Sequence, residues 1–256
     1  MAARSACHFG APARPMGTPK AAKWSPAEII ERLAPSYGPP TPPRRWDATS
    51  ELVYTILSQH TSDANSVPAY EQLRRRFKTW DDVVHAKTSD VMEAIRQGGL
   101  ARQKAPRIQQ VLRLVKEKTG GYDLSFLGEM AVDEARAWLR ALPGVGPKTV
   151  GCVMLFALEK PVLPVDTHIH RVAKRLGLYK PKVTVEESHD VLEAMLQPQE
   201  VLPFHMYLIT HGRRVCDARK PLCARCVLEP RCPKVGVKAQ GARRTSQKAK
   251  GVRRRS

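Results

Sequence analysis

Four cysteines near the C-terminal end, Cys216, Cys223, Cys226 and Cys232, stand in a C-x6-C-x2-C-x5-C arrangement. Four thiolates so close in the chain can close around a metal centre. Zinc usually takes two short C-x2-C knuckles and only one is present, so spacing alone leaves zinc and an iron–sulfur cluster on equal terms. Cys152 falls on an apolar helical face and reads as core, and Cys7 reads as an incidental thiol. A second group of chemically capable residues surrounds a turn, Pro143-Gly144-Val145-Gly146-Pro147. No helix can run through it, because glycine adopts backbone angles that other residues avoid and proline lacks the interior N–H donor. Lys148 follows the turn, and Asp166 comes 18 residues later. A lysine in that position commonly meets a phosphate, and an aspartate ahead of a helical run caps it.

The elements that must position these residues are helices. Ala135, Trp138 and Leu139 before the turn, and Val150, Val153, Met154 and Ala157 after it, recur at helical spacing. They predict two helices joined by a tight glycine hairpin. The second helix is expected to begin near Lys148 with its free N–H groups pointing out of the hairpin, a ready anion site. Ser25 and Pro26 mark the start of a first helix with Ile29, Ile30 and Leu33 on its inner face, followed by a proline-rich link from Pro35 to Pro43. Further helices are expected from about Asp47 to Ser58, from an Asp63 cap, after Thr79, and from Ser89 to a stop at Gly98-Gly99. Ile108, Val111, Leu112 and Val115 mark a longer one ending at Gly120-Gly121. After the hairpin, Asp166 opens a helix ending at Gly177, Thr184 to Glu187 reads as a capping box, and a last helix runs from about Gln199 into Arg214. Strand alternation is nowhere convincing, so the fold class is all-α.

The chain of 256 residues carries 43 Lys and Arg against 24 Asp and Glu, a net charge of +19. Residues 1–23 hold four of the basic residues and 238–256 hold eight, with no acid in either stretch, which leaves +7 on the middle. That excess still suits a phosphate-binding face. No apolar run reaches the ~18–20 residues needed to cross a bilayer. The N-terminal stretch lacks a secretory h-region, and its acid-free Ala/Arg/Pro composition leaves an organellar transit peptide open. Without one, a cytoplasmic or nucleoid-associated location is expected, where clustered cysteines point to a metal site rather than to disulfides.

Leu142-Pro-Gly-Val-Gly-Pro-Lys-Thr149, followed by Val165-Asp166-Thr167-His168, resembles the helix-hairpin-helix and aspartate signature of the endonuclease III family of DNA glycosylases. The resemblance covers roughly residues 25–234. It implies two helical lobes, one of six helices with the hairpin at 47–159 and one built from 24–46 and 160–235, with the substrate groove between them. The flanking stretches 1–23 and 236–256 read as disordered basic tails. The resemblance also decides the metal, because the cysteine spacing is that of the family's [4Fe–4S] cluster. Tethering the loop between Cys216 and Cys223 would present Arg219 and Lys220 as fixed cations for phosphates.

In bifunctional relatives the position of Lys148 holds a nucleophile that attacks the sugar C1′, expels the base and forms a Schiff base that permits strand scission. The amine must be neutral to attack, and the helix N-terminus helps by only about 0.3–1 kcal/mol, so desolvation is expected to supply most of the activation. Asp166 matches the family aspartate that stabilises oxocarbenium-like charge and assists proton transfer. Gly144 and Gly146 would offer backbone to a DNA phosphate. Leu100, after Gly98-Gly99, matches an intercalating leucine. His60, in Leu57-Ser58-Gln59-His60-Thr61-Ser62-Asp63, departs from the glutamine that usually fills the gap left by an everted base. The reading is a bifunctional DNA glycosylase with AP lyase activity, a monomer that removes oxidised pyrimidines from double-stranded DNA and cleaves the strand at AP sites by β-elimination, without a membrane. A monofunctional mismatch or uracil glycosylase, or a non-catalytic hairpin protein, would share the scaffold, and Lys148 together with Asp166 argues against both.

The basic tail adds its own test. Removing residues 238–256 should flatten the slope of log K against log salt on duplex DNA, by about 0.9 for each phosphate the tail neutralises. Single-turnover base removal should barely change. An unchanged salt slope would show that the tail does not touch DNA.

Overall fold

The structure, a computed structural model, describes residues 23–42 and 46–237. The expected tails, apart from Lys23, Gly236 and Val237, lie outside the described residues, as does Cys7. The described residues form eleven α-helices with short 3-10 turns between them and no strand. The fold is all-α.

Local chemistry explains most helix ends. α1 (Pro26–Tyr37) opens on a reciprocal capping box between Ser25 and Glu28, with proline at its first position. It also runs through Pro35, where a link was expected, and stops at Gly38 with φ 72°. A proline so near the C-terminus removes a single helix bond in the last turn, which the buried Ile29 and Leu33 outweigh. α2 (Ala48–Ser58) is capped by the Asp47 side chain. α3 (Asp63–Arg76) begins at Asp63 instead of being capped by it, and that carboxylate pairs with Arg213 at 2.9 Å. α4 (Trp80–His85) has a capping box between Thr79 and Asp82. α5 (Thr88–Ala94) starts one residue ahead of Ser89, and α6 (Ala101–Thr119) ends on Gly120 at φ 76°.

α7 (Val132–Arg140) and α8 (Pro147–Cys152) flank the hairpin, and a π-helical segment, Val153–Ala157, prolongs α8. α9 (Thr167–Arg175), α10 (Glu187–Glu193) and α11 (Val201–Arg214) complete the chain.

Two hydrophobic cores result. Helices α2 to α8 surround the first, where Leu52, Ile56, Leu57, Ile108 and Leu112 are fully buried. Helices α1, α9 and α11 surround the second, around Ile29, Leu33, Ile169, Phe204 and Leu208. Chain ends meet in this second core. The Trp24 indole N–H donates to the Leu228 carbonyl at 3.1 Å, Arg231 lies 3.6 Å from the Trp24 ring centre, and Arg231 pairs with Glu28 at 2.8 Å. The chain crosses between cores at Val162 and Leu163, which belong to the first and second respectively. That crossing segment leads directly to Asp166. No described helix is long and apolar enough to cross a membrane.

Candidate active site and cysteine centre

Gly146 is the extended N-cap of α8 and Pro147 its first residue, which makes Lys148 the second residue of the helix, half-buried. Gly144 has φ 74°, so the hairpin needs glycine there for its conformation, and the Arg107 side chain lies against it, Nη1 2.6 Å from where a Cβ would stand. The Gln59 amide reaches the same turn, donating to the Gly144 carbonyl and to Oγ1 of Thr149, both at 3.4 Å. Arg107 and Gln59 were not singled out from the sequence, because neither shares a local pattern with the hairpin.

Asp166 approaches from the other core. Its Oδ1 accepts the backbone N–H groups of His168 at 2.9 Å and Ile169 at 2.8 Å, the capping expected of it. Gly151 allows the approach. A Cβ on Gly151 would lie 2.8 Å from the Pro164 backbone N and Cα, so no other residue lets α8 pass so near the crossing segment. Side chains hold that segment on its other side. Glu193 accepts the Leu163 N–H at 2.9 Å while paired with Arg136 at 2.6 Å. Nδ1–H of buried His189 donates to the Leu163 carbonyl at 3.1 Å, and that of His205 to the Pro164 carbonyl at 2.8 Å. Burial pulls His205 down to about 4, which keeps it neutral at physiological pH, and its ring meets Phe156 edge-on at 5.3 Å.

The charge on Lys148 follows from these neighbours. Cys152, one turn along α8, contributes most to raising its pKa above the ordinary lysine value; burial opposes it, and the Asp166 and Glu51 carboxylates add to the upward pull. Burial also pushes the Cys152 thiol up to about 11, so at neutral pH the thiol is uncharged and the carboxylates are the anions acting on the ammonium. Desolvation pulls Lys148 toward the neutral amine, the pull expected of it, while the charges around it favour the ammonium.

The other expected site residues lie on exposed loops. His60 and Leu100 both sit in the left-handed region, at φ 55° and 50°, and Leu100 is 47 % exposed. For residues other than glycine that conformation costs about 1–2 kcal/mol each. Leu100 is therefore not the core leucine its type suggests. Arg219 and Lys220 are exposed, and Asp217 Oδ1 accepts both of their backbone N–H groups, at 2.8 and 2.9 Å. Arg175, another residue the sequence did not mark, donates to the carbonyls of Cys216, Asp217 and Ala218. The loop that displays the two cations is thereby tied to α9, the helix Asp166 caps.

All four clustered cysteines, with Arg175, line one cavity of about 20 Å³. Among the described residues no three His, Cys, Asp or Glu side chains converge where a single metal ion could be held. Donors surround the sulfurs: Arg175 Nη1 lies 3.3 Å from Cys216 Sγ, and His211 Nε2 lies 3.3 Å from Cys226 Sγ while its Nδ1 meets the Tyr37 hydroxyl at 2.9 Å. Burial pushes the Cys226 thiol up to about 11, so a bound cation is what would hold it as thiolate.

A helix-hairpin-helix with a lysine at its exit, a helix-capping aspartate on the segment that crosses it and a four-cysteine loop place the chain in the helix-hairpin-helix class of all-α proteins. The profile of the HhH-GPD superfamily of base excision DNA repair proteins matches residues 53–198. Endonuclease III of Thermotoga maritima is 35 % identical over 80 % of this chain and 89 % of its own. Endonuclease III of Escherichia coli K12 is 32 % identical over 80 % and 93 %. The solved structure of a non-covalent endonuclease III–DNA complex superposes with a TM-score of 0.72 at 28 % identity, covering 82 % of this chain and 96 % of that one. The chain belongs to the endonuclease III family of base excision DNA repair proteins.

The crossing at Gly151 generates a prediction. Gly151→Ala should force α8 off the segment at Pro164 and slow single-turnover base removal on the order of 100-fold, the usual penalty for about 1 Å of misplacement. Duplex binding should change little. Full activity in the variant would mean that the close approach does not set the catalytic geometry.

Proposed function

We propose that this family member, a bifunctional DNA glycosylase with AP lyase activity, removes oxidised pyrimidines from double-stranded DNA with Lys148 as nucleophile and Asp166 as its electrostatic partner. The observation that carries the reading is their convergence: Gly151 lets the helix bearing Lys148 approach the segment bearing Asp166, and the Asp166 carboxylate acts on the Lys148 ammonium.

The chemistry follows from those two charges. Lys148 rests as an ammonium and gives up a proton before attack, and Asp166 and Glu51 are the anions near enough to favour its charged form until then. The amine lone pair forms a bond to C1′ as the bond from C1′ to the base breaks, and the departing base takes up a proton. Positive charge develops on the sugar during this step, and the Asp166 carboxylate, kept in place by its two backbone donors, stabilises it. Opening of the sugar leaves a Schiff base, and loss of a C2′ proton then expels the 3′ phosphate. Backbone at Gly144 and Gly146, with Arg219 and Lys220, would hold phosphates of the same strand. Leu100 and His60 would enter the duplex as wedge and plug when the base swings out.

Members of this family carry an iron–sulfur cluster. In this chain Cys216, Cys223, Cys226 and Cys232 would hold it as [4Fe–4S]. All four side chains line one cavity, and the family's cysteine spacing is what favours the cluster over zinc. Bound there, the cluster would fasten the loop of Arg219 and Lys220, a structural service.

Two experiments test the reading. Borohydride should trap a covalent adduct of the wild-type protein with AP-site DNA, and Lys148→Gln should abolish the adduct while duplex binding persists. Undiminished trapping by Lys148→Gln would assign the nucleophile to another amine. Anaerobically purified protein should be brown, with about four irons per chain. A colourless, folded protein with stoichiometric zinc would overturn the cluster.

A further inference from the structure

The first core holds a cation that the chemistry above does not use. Lys104, in the first turn of α6, is 4 % exposed. Its Nζ donates to the Leu57 carbonyl at 2.6 Å and to the Gly98 carbonyl at 2.8 Å. Leu57 lies in the last turn of α2, where main-chain acceptors lack helical partners, and Gly98 closes a 3-10 turn at Arg96–Gly98. Both acceptors are therefore at the negative ends of helical turns, which is where a buried ammonium is best tolerated. Burial still pulls the Lys104 pKa below the ordinary lysine value. A packing role alone would be filled by leucine or methionine without that penalty.

What the two carbonyls have in common is their position in the chain. Leu57 precedes His60 by three residues, and Gly98 precedes Leu100 by two. His60 and Leu100 are two of only four non-glycine residues with positive φ among the described residues. The loops also touch directly. A Cβ on Gly98 would lie 3.0 Å from Leu57 Cδ2 and 3.2 Å from Ala69 Cβ. One ammonium thus spans the two loops whose tips are aimed out of the protein in a strained conformation.

We propose that Lys104 is a positioning residue that clamps the His60 and Leu100 loops into one rigid unit, so that both side chains enter the duplex together when a base is everted. The inference rests on the reading of Leu100 as wedge and His60 as plug. It identifies the source of their registration: not the loops' own sequences, but a buried cation shared by the main chain behind them. Without the clamp each loop relaxes separately toward ordinary backbone angles, and the duplex meets two independent side chains in place of one preformed insert.

The experiment is a mutant cycle on the full-length protein. Single-turnover base removal is measured on a duplex carrying one thymine glycol, and borohydride trapping on a single-stranded oligonucleotide with one AP site, where no base has to be everted. Leu100→Ala and His60→Ala should each slow base removal from the duplex. Lys104→Met should slow it about tenfold or more, with single-strand trapping within about twofold of wild type. In the Leu100→Ala/His60→Ala background, Lys104→Met should cost less than about twofold further, because nothing remains for it to position. An equal cost in both backgrounds would overturn the proposal and leave Lys104 as general support of the fold. Should Leu100→Ala and His60→Ala both leave base removal unchanged, the wedge-and-plug reading itself would fall, a separate outcome from loss of coupling. If Lys104→Met does not fold, Gly98→Ala takes its place, since its added methyl crowds Leu57 Cδ2 at 3.0 Å and Ala69 Cβ at 3.2 Å beside the Gly98 carbonyl that Lys104 holds. Additivity of Gly98→Ala with the double variant would then overturn the clamp.

Discussion

Everything at the candidate site depends on a crossing at which a helix of one core touches an extended segment leading into the other. Gly151 faces the Pro164 backbone with no space for a side chain. Because that contact involves main chain on one side and an absent Cβ on the other, it has almost no freedom to adjust. Side chains from α10 and α11 finish the clamp, with Glu193, His189 and His205 each bonded to main chain of the crossing segment. The crossing brings the helix that bears Lys148 against the segment that leads to Asp166.

The same arrangement explains the resting charge of Lys148. A lysine at a helix N-terminus and half out of water would by itself lean toward the neutral amine. The carboxylates of Asp166 and Glu51 pull the other way, toward the ammonium. In the reaction proposed for Lys148, the ammonium that attracts DNA must give up a proton before it can attack C1′. His205, kept neutral by burial, supports Pro164 without adding a second cation beside Lys148. On the far side, Arg171 and Arg175 of α9 both donate to the Cys216 carbonyl, so the helix capped by Asp166 also holds the four-cysteine loop.

Much of this was legible in the sequence wherever the physics is local. The Ser25 cap, the helix start after Thr79, the Gly120 stop and the Asp166 cap involve residues three or fewer apart, or a glycine's own backbone angle. The hairpin was readable for the same reason. Contacts between distant segments were not. Lys104 lies 47 residues from Leu57, and His205 lies 41 from Pro164, with no periodicity linking either pair. Arg107 over Gly144 and Gln59 against the hairpin are of the same kind. Cys152 shows a subtler limit. Its apolar face correctly indicated burial, yet spacing could not show that the charge acting on it most would be Lys148. Pro35 within α1 marks the opposite failure, a strong local signal outweighed by burial of Ile29 and Leu33.

The central claim is that a carboxylate delivered from the second core favours the charged form of the lysine delivered from the first. A titration of the Lys148 side-chain nitrogen by NMR in ¹⁵N-lysine protein, in the wild type and in Asp166→Asn, tests it directly. The account predicts a lower Lys148 pKa in Asp166→Asn, since one of the anions favouring the ammonium is gone while burial remains. A Lys148 pKa that is unchanged or higher in Asp166→Asn would contradict the account.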